Sequence, residues 1–77
     1  MKYTLLTYKN SNGRYIKYMG RGDTTQAIQE LINFCESIGF KLIEARIIIT
    51  GVGYDFAYNF MQNSINITNG DIVYSKQ

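Results

Sequence analysis

Basic and tyrosine side chains interleave through the first part of this chain, and that combination has a chemistry. Lys9, Arg14, Tyr15, Lys17 and Arg21 form a candidate binding surface, with Lys2, Tyr3, Tyr8 and Tyr18 among them. Ammonium and guanidinium groups neutralise phosphates, and tyrosine rings stack on unpaired bases. The same residues equally suit a protein contact, where tyrosine supplies a large area with a polar tip. A solvated strand pair with core tyrosines would also use them.

Catalytic chemistry is poorly supplied. The chain has no histidine, so it lacks an imidazole base, an imidazole metal ligand and any serine–histidine–aspartate system. One cysteine, Cys35, allows neither an internal disulfide nor a thiolate cluster. It lies on the apolar stripe of a helix, where a small buried hydrophobe is expected. The acidic residues are scattered, without the close pairing that general acid–base work uses. Calcium loops and phosphate-binding P-loops are absent. The expectation is a protein that is not an enzyme and uses no cofactor and no metal.

Charge is uneven along the chain. Lys2, Lys9, Arg14, Lys17 and Arg21 all precede Asp23, and no acidic residue does. The 6 acidic residues that follow face only Lys41, Arg46 and Lys76, and the net charge is +2. Such polarity can mark a binding face. No stretch reads as a secretory leader, and the longest strongly apolar run, Ile47 to Ile49, is too short to span a membrane. A soluble, cytoplasmic protein is expected. The composition is rich in Ile, Asn, Lys and Tyr, whose codons are AT-rich, which fits a low-GC bacterium, its phage or a plasmid.

Three short motifs carry bland readings beside sharp ones. Arg21-Gly22-Asp23 spells an adhesion tripeptide, yet Asp23 is placed to cap a helix. Gly20-Arg21-Gly22 before that helix could hold an anion on free N–H groups, but without the full glycine fingerprint it reads as a turn. Asn66-Ile67-Thr68 matches a glycosylation sequon, which matters only in a secreted chain.

The elements that must position these residues are legible in turn. Asp23 to Gly39 (DTTQAIQELINFCESIG) has a start, a period and a stop. Asp23 can accept from the first free N–H groups, and Gln26 completes a capping box. Ala27, Ile28, Leu31, Ile32, Cys35 and Ile38 form one apolar stripe. Gly39 is placed for positive φ just past the end, with Phe40 folding back on the last turn. Residues 2–9 and 14–19 are β-rich and flank Asn12-Gly13, a hairpin signal. A two- or four-residue loop puts Tyr3, Leu5 and Thr7 on a face with Ile16, Tyr18 and Gly20; a three-residue loop swaps the partners. Residues 41–50 and 54–61 read as strands, the latter through alternation of Tyr54, Phe56, Tyr58 and Phe60. A short helix capped by Asp55 competes for 54–61. Residues 65–68 and 71–74 flank Asn69-Gly70 as a second hairpin. The opening hairpin with Gly22-Asp23-Thr24 leading into a helix resembles HicB-type antitoxins and the sheet-and-helix DNA-binding domains of some integrases. Those matches are turn and cap residues, so no site residue follows from them.

At 77 residues the chain makes one small domain. The expected architecture is α+β, in the order β-β-α-β-β-β, with a curved antiparallel sheet packed on one central helix and a tyrosine-rich outer face. The expected function is binding through protein–protein contact, as an inhibitor or regulatory module. The alternative is a nucleic-acid-binding module using the basic, tyrosine-rich hairpin. Unpaired sheet edges favour a homodimer. No membrane partner is expected.

Overall fold

A computed structural model describes residues 1–63 and 70–76. The elements are β1 (Tyr3–Lys9), β2 (Tyr15–Arg21), α1 (Thr24–Ser37), β3 (Glu44–Val52), α2 (Tyr54–Gln62) and β4 (Asp71–Ser75). The strands form one antiparallel sheet in the order β2-β1-β3-β4, an α+β architecture. Strands β2 and β3 both run antiparallel to β1 and therefore parallel to each other. Parallel strands cannot be joined by a tight turn, and α1 is the crossover between them.

Local chemistry sets α1. Asp23 Oδ1 accepts from Gln26 N, and Gln26 Oε1 accepts from Asp23 N, each at 2.9 Å. The helix ends with Gly39 at φ +72. Gly39 N donates to Glu36 O at 3.1 Å and Phe40 N to Cys35 O at 2.8 Å, the paired bonds of a Schellman end. Ala27, Leu31 and Cys35 are the buried positions of the stripe, packed with Leu6, Tyr8, Leu42 and Ala45 from the sheet side. Phe40 folds back against Tyr8, ring centroids 5.9 Å apart.

The first hairpin closes with a three-residue loop. Asn10 N donates to Arg14 O at 2.8 Å, and Gly13 N to Asn10 O at 3.0 Å, with Gly13 at φ +81. The Asn10 side chain holds the turn by accepting from Asn12 N and Arg14 N. The odd count pairs Leu6 with Tyr18 and Leu5 with Met19. Leu6, Tyr8 and Tyr18 thus meet α1, while Tyr3, Leu5 and Met19 look the other way.

Residues 54–61 are not a strand. They lie within α2, which starts at Gly53 without a side-chain cap and carries Asp55 in its first turn. Ala57 and Phe60 are buried and Met61 partly so, the i, i+3, i+4 spacing of a helix stripe. Tyr54, Phe56 and Tyr58, whose alternation suggested a strand, point outward. The sheet therefore packs on two helices, one per face. The second covers Leu5 together with Met19, Ile48 and Val52.

The third strand begins at Glu44 rather than residue 41, and Leu42 joins the α1 core from the preceding segment. Its pairing with β1 shifts twice, at Ile48 and at Gly51, the latter at φ +76. Such bulges bend and twist a strand, which curves the sheet between its two helices. Thr4 ties this end together: its hydroxyl lies 2.9 Å from Gly22 O and 2.7 Å from Thr50 Oγ1. The 71–74 segment pairs with β3 as part of β4. The proposed 65–68 arm and the sequon lie outside the described residues.

Two substitutions test this packing. Leu31→Ala empties a fully buried site and is expected to cost about 2–5 kcal/mol in urea denaturation; a loss under about 1 kcal/mol would contradict the seating of α1. A β-carbon at Gly20 would overlap Ala27. Gly20→Ala should therefore cost at least about 1–3 kcal/mol, and adding Ala27→Gly should recover part of the loss.

Candidate functional site: the hairpin tip and the outer face of the second helix

The five basic-surface residues do not form one site. Lys17 lies on β2 beneath α2, and its ammonium donates to Phe60 O at 2.9 Å and to Asn63 O. Its nitrogen also sits 5.3 Å from the Phe60 ring centroid. The last carbonyls of a helix have no partner within it and carry the negative end of the helix dipole. Lys17 supplies both the hydrogen bonds and the charge, so its role is structural.

Arg21 ends β2 at the opposite end from the hairpin turn, roughly 20 Å from it at about 3.4 Å per residue. Its guanidinium is 3.4 Å from Glu30 Oε1, and its backbone N–H donates to Glu30 Oε2 at 2.8 Å. Gly22 is a turn at φ +89, and Asp23 is occupied as the helix cap. The adhesion and anion readings of this segment therefore have structural explanations.

Lys9 and Tyr15 meet at the tip, beside the turn that holds Arg14, and two residues absent from the expected set join them. Lys9 Nζ and Arg46 Cζ each lie 5.8 Å from the Tyr15 ring centroid. Arg46 Nε pairs with Glu44 Oε2 at 3.0 Å, and the Tyr15 hydroxyl stands 3.5 Å from the same oxygen. The Glu44 hydrogen bond holds Arg46 above its ordinary pKa. The result is one ring in reach of two cations with one carboxylate beside it. Sequence showed Glu44 and Arg46 only as the wet end of a strand face. Their meeting with Tyr15 depends on β1 separating β2 from β3. Beside the tip, a hollow of about 470 Å³ has Lys9 and Lys41 at its rim and Phe40 and Ile43 on its walls.

The flank of α2 that carries Tyr54 and Tyr58 is the larger exposed aromatic surface, with Phe56 on the opposite flank at about 100° of turn per residue. Tyr54, Phe56 and Tyr58 are 54%, 54% and 49% exposed. Tyr54 stacks on Tyr58 with centroids 6.0 Å apart, and Tyr3 meets Tyr54 edge-on at 5.9 Å. A shallow hollow of about 450 Å³ is lined by Tyr54, Asp55, Tyr58 and Asn59. Strand-like alternation hid this face in the sequence; the helical spacing of Ala57, Phe60 and Met61 was the signal that would have found it.

Cys35 is 1% exposed, and burial pushes its thiol up. Both changes disfavour thiolate chemistry. Among the described residues, no three Cys, Asp or Glu side chains gather as a metal cluster would require. No helix among them is long and apolar enough to cross a membrane.

Two measurements follow from these positions. Lys17→Gln shortens the stem by one atom and removes the charge facing the end of α2. It is expected to lower stability by about 0.3–1 kcal/mol, and the deficit should shrink in high salt. A stability unchanged at low salt would contradict the capping role. Tyr18 gives the second. Its phenol is pushed from 10.0 up to about 12, first by burial and next by the nearby Glu30 carboxylate. A pKa raised on folding means that the folded state holds the proton longer. This contribution is full below pH 10.0 and is lost as pH climbs towards about 12. Tyrosinate absorbance should show a late component that disappears in Tyr18→Phe and on unfolding; persistence in Tyr18→Phe would contradict the assignment.

No protein-family model matches this chain, and neither curated proteins nor solved structures give a match, so the functional reading rests on its own geometry.

Proposed function

We propose that this protein is a small non-catalytic binding module that acts by contacting another protein, as an inhibitor or regulatory subunit does, and that the outer face of α2 is its contact surface. The carrying observation is the exposed, stacked pair Tyr54 and Tyr58, one turn apart on a helix of 9 residues, with Tyr3 edge-on to it. Aromatic side chains dominate the centres of protein interfaces, because they bury much area for little lost rotamer freedom. Two half-exposed rings offer roughly 200 Å², against about 800 Å² per partner in a standard interface. They would thus form its centre, with Tyr3, Asp55 and Asn59 towards the rim. Self-association through a free strand edge belongs to the same proposal, as do the cytoplasmic setting and the low-GC bacterial or phage source.

A second reading keeps the nucleic-acid module, reduced to the hairpin tip. Lys9, Tyr15 and Arg46 converge there beside a hollow lined in part by Lys41, and Arg14 lies in the adjoining turn. Lys17 is engaged at the end of α2 and Arg21 lies at the far end of β2, so few phosphate contacts remain at the tip.

One experiment separates the two. The immobilised protein is exposed to a low-GC bacterial lysate with and without nuclease, alongside Tyr54→Ser/Tyr58→Ser and Lys9→Gln/Arg14→Gln variants. The expected outcome is a nuclease-resistant protein partner whose affinity falls about tenfold or more, ~1.4 kcal/mol, in the tyrosine variant and little in the other. If nuclease abolishes capture and the Lys9/Arg14 variant flattens the log K against log salt slope by about 0.7–0.9 per lost contact, the tip reading replaces it.

A further inference from the structure

Strand β2 is an edge of the sheet, and its outer side has no strand partner among the described residues. The hydrogen bonds from Asn10 N to Arg14 O and from Gly22 N to Lys2 O fix the phase of the β1–β2 ladder. In an antiparallel pair, bonded and unbonded positions alternate. Even-numbered residues of β2 therefore bond to β1, while Tyr15, Lys17, Met19 and Arg21 direct their N–H and C=O groups outward. Arg21 N–H is taken by Glu30 Oε2. Among the described residues, Tyr15, Lys17 and Met19 are left as an open edge three residues long in bonding capacity.

Natural edges are usually blunted by a bulge, a proline, a short strand or a protruding lysine. At the opposite edge, β4 has 5 residues and a register shift against β3. By contrast, β2 has 7 residues, no proline and no shift against β1. Its lysine does not protrude, because the Lys17 ammonium is held by the carbonyls that end α2.

We propose that two copies of this chain join through antiparallel β2–β2 pairing about a two-fold axis at Tyr18, making one continuous eight-stranded sheet. The inference rests on the self-association part of the reading above and not on the α2 contact. Charge selects the register. An axis at Lys17 would set two lysines opposite each other, and an axis at Met19 would set Lys17 against the partner's Arg21. Directly opposed like charges destabilise a strand pair. The axis at Tyr18 instead opposes Lys17 to the partner's Met19 and Tyr15 to the partner's Arg21, a cation against a ring. Lys17 and Met19 then exchange four backbone hydrogen bonds with their counterparts. Tyr18 meets its own copy at an unbonded position, where side chains approach closest. Phe34, which leans on Tyr18 with centroids 5.8 Å apart and is 41% exposed, lies on α1 at the margin of this contact and would be covered by it.

Sedimentation of the wild-type chain up to about 1 mM and amide hydrogen exchange test the proposal together. The expected result is reversible doubling of the 8.9 kDa mass, with protection of the Lys17 and Met19 amides that rises with concentration. Phe34→Lys, which places like charges beside the axis on an exposed helix position, should weaken the dimer about tenfold or more while leaving the helical circular dichroism intact. A monomer throughout the range overturns the proposal, as does a dimer in which those amides exchange as fast as in an open chain. If the wild type stays monomeric and the two amides become protected only when a captured protein is added, the edge serves a foreign strand and self-pairing is wrong. Tyr54→Ser/Tyr58→Ser should leave the dimer unchanged, so loss of the α2 partner and loss of self-pairing are separately visible.

Discussion

Strand β1 has no face to give to water, and the rest of the structure answers that constraint. Thr4, Leu5, Leu6, Thr7 and Tyr8 are all buried in succession. Side chains alternate across a strand, so Leu5 and Leu6 point to opposite sides of the sheet. Each demands an apolar cover, and one helix can cover only one side. Leu6 and Tyr8 meet α1, while Leu5 meets α2. The order β2-β1-β3-β4 follows the same need, because a strand buried on both faces belongs inside the sheet with its backbone groups paired on both edges.

Polar residues are spent on finishing the elements that this burial calls into place. Asp23 and Gln26 close the start of α1, Glu30 ties it to the end of β2, and Lys17 closes the end of α2. Asp55 sits in the first turn of α2, so that helix carries an acid at its positive end and a cation at its negative end. Residues that look like a binding surface when read in a line are therefore partly structural. Gly20 shows the same economy at a smaller scale, since the absent side chain is what lets Ala27 rest on the strand.

What remains unused by the fold is what can be offered to a partner. The outer rings of α2 cover no core, and the outward groups of β2 close no ladder among the described residues. The two features differ in kind. The rings supply non-directional apolar area suited to a protein of another shape, whereas an open strand edge is directional and matches its own antiparallel copy. The tip group around Tyr15 is a third feature, with its cations already shared between a ring and the Glu44 carboxylate.

By itself the sequence determined α1, the first hairpin and the α+β class, because the signals are local. A capping box, a positive-φ glycine and an Asn-Gly turn act between residues a few positions apart, and they produce the same structure in any setting that tolerates them. The segment from Tyr54 to Met61 was different. Its residues satisfy both a two-residue and a 3.6-residue period, so local pattern could not choose. The uncovered side of β1 chose the helix, since Ala57, Phe60 and Met61 seal Leu5 only in that form. Tertiary structure likewise decided the union of Arg46 with Tyr15 and the diversion of Lys17 to a helix end. Each of these depends on groups far apart in sequence, whose meeting is set by which surfaces must be buried together.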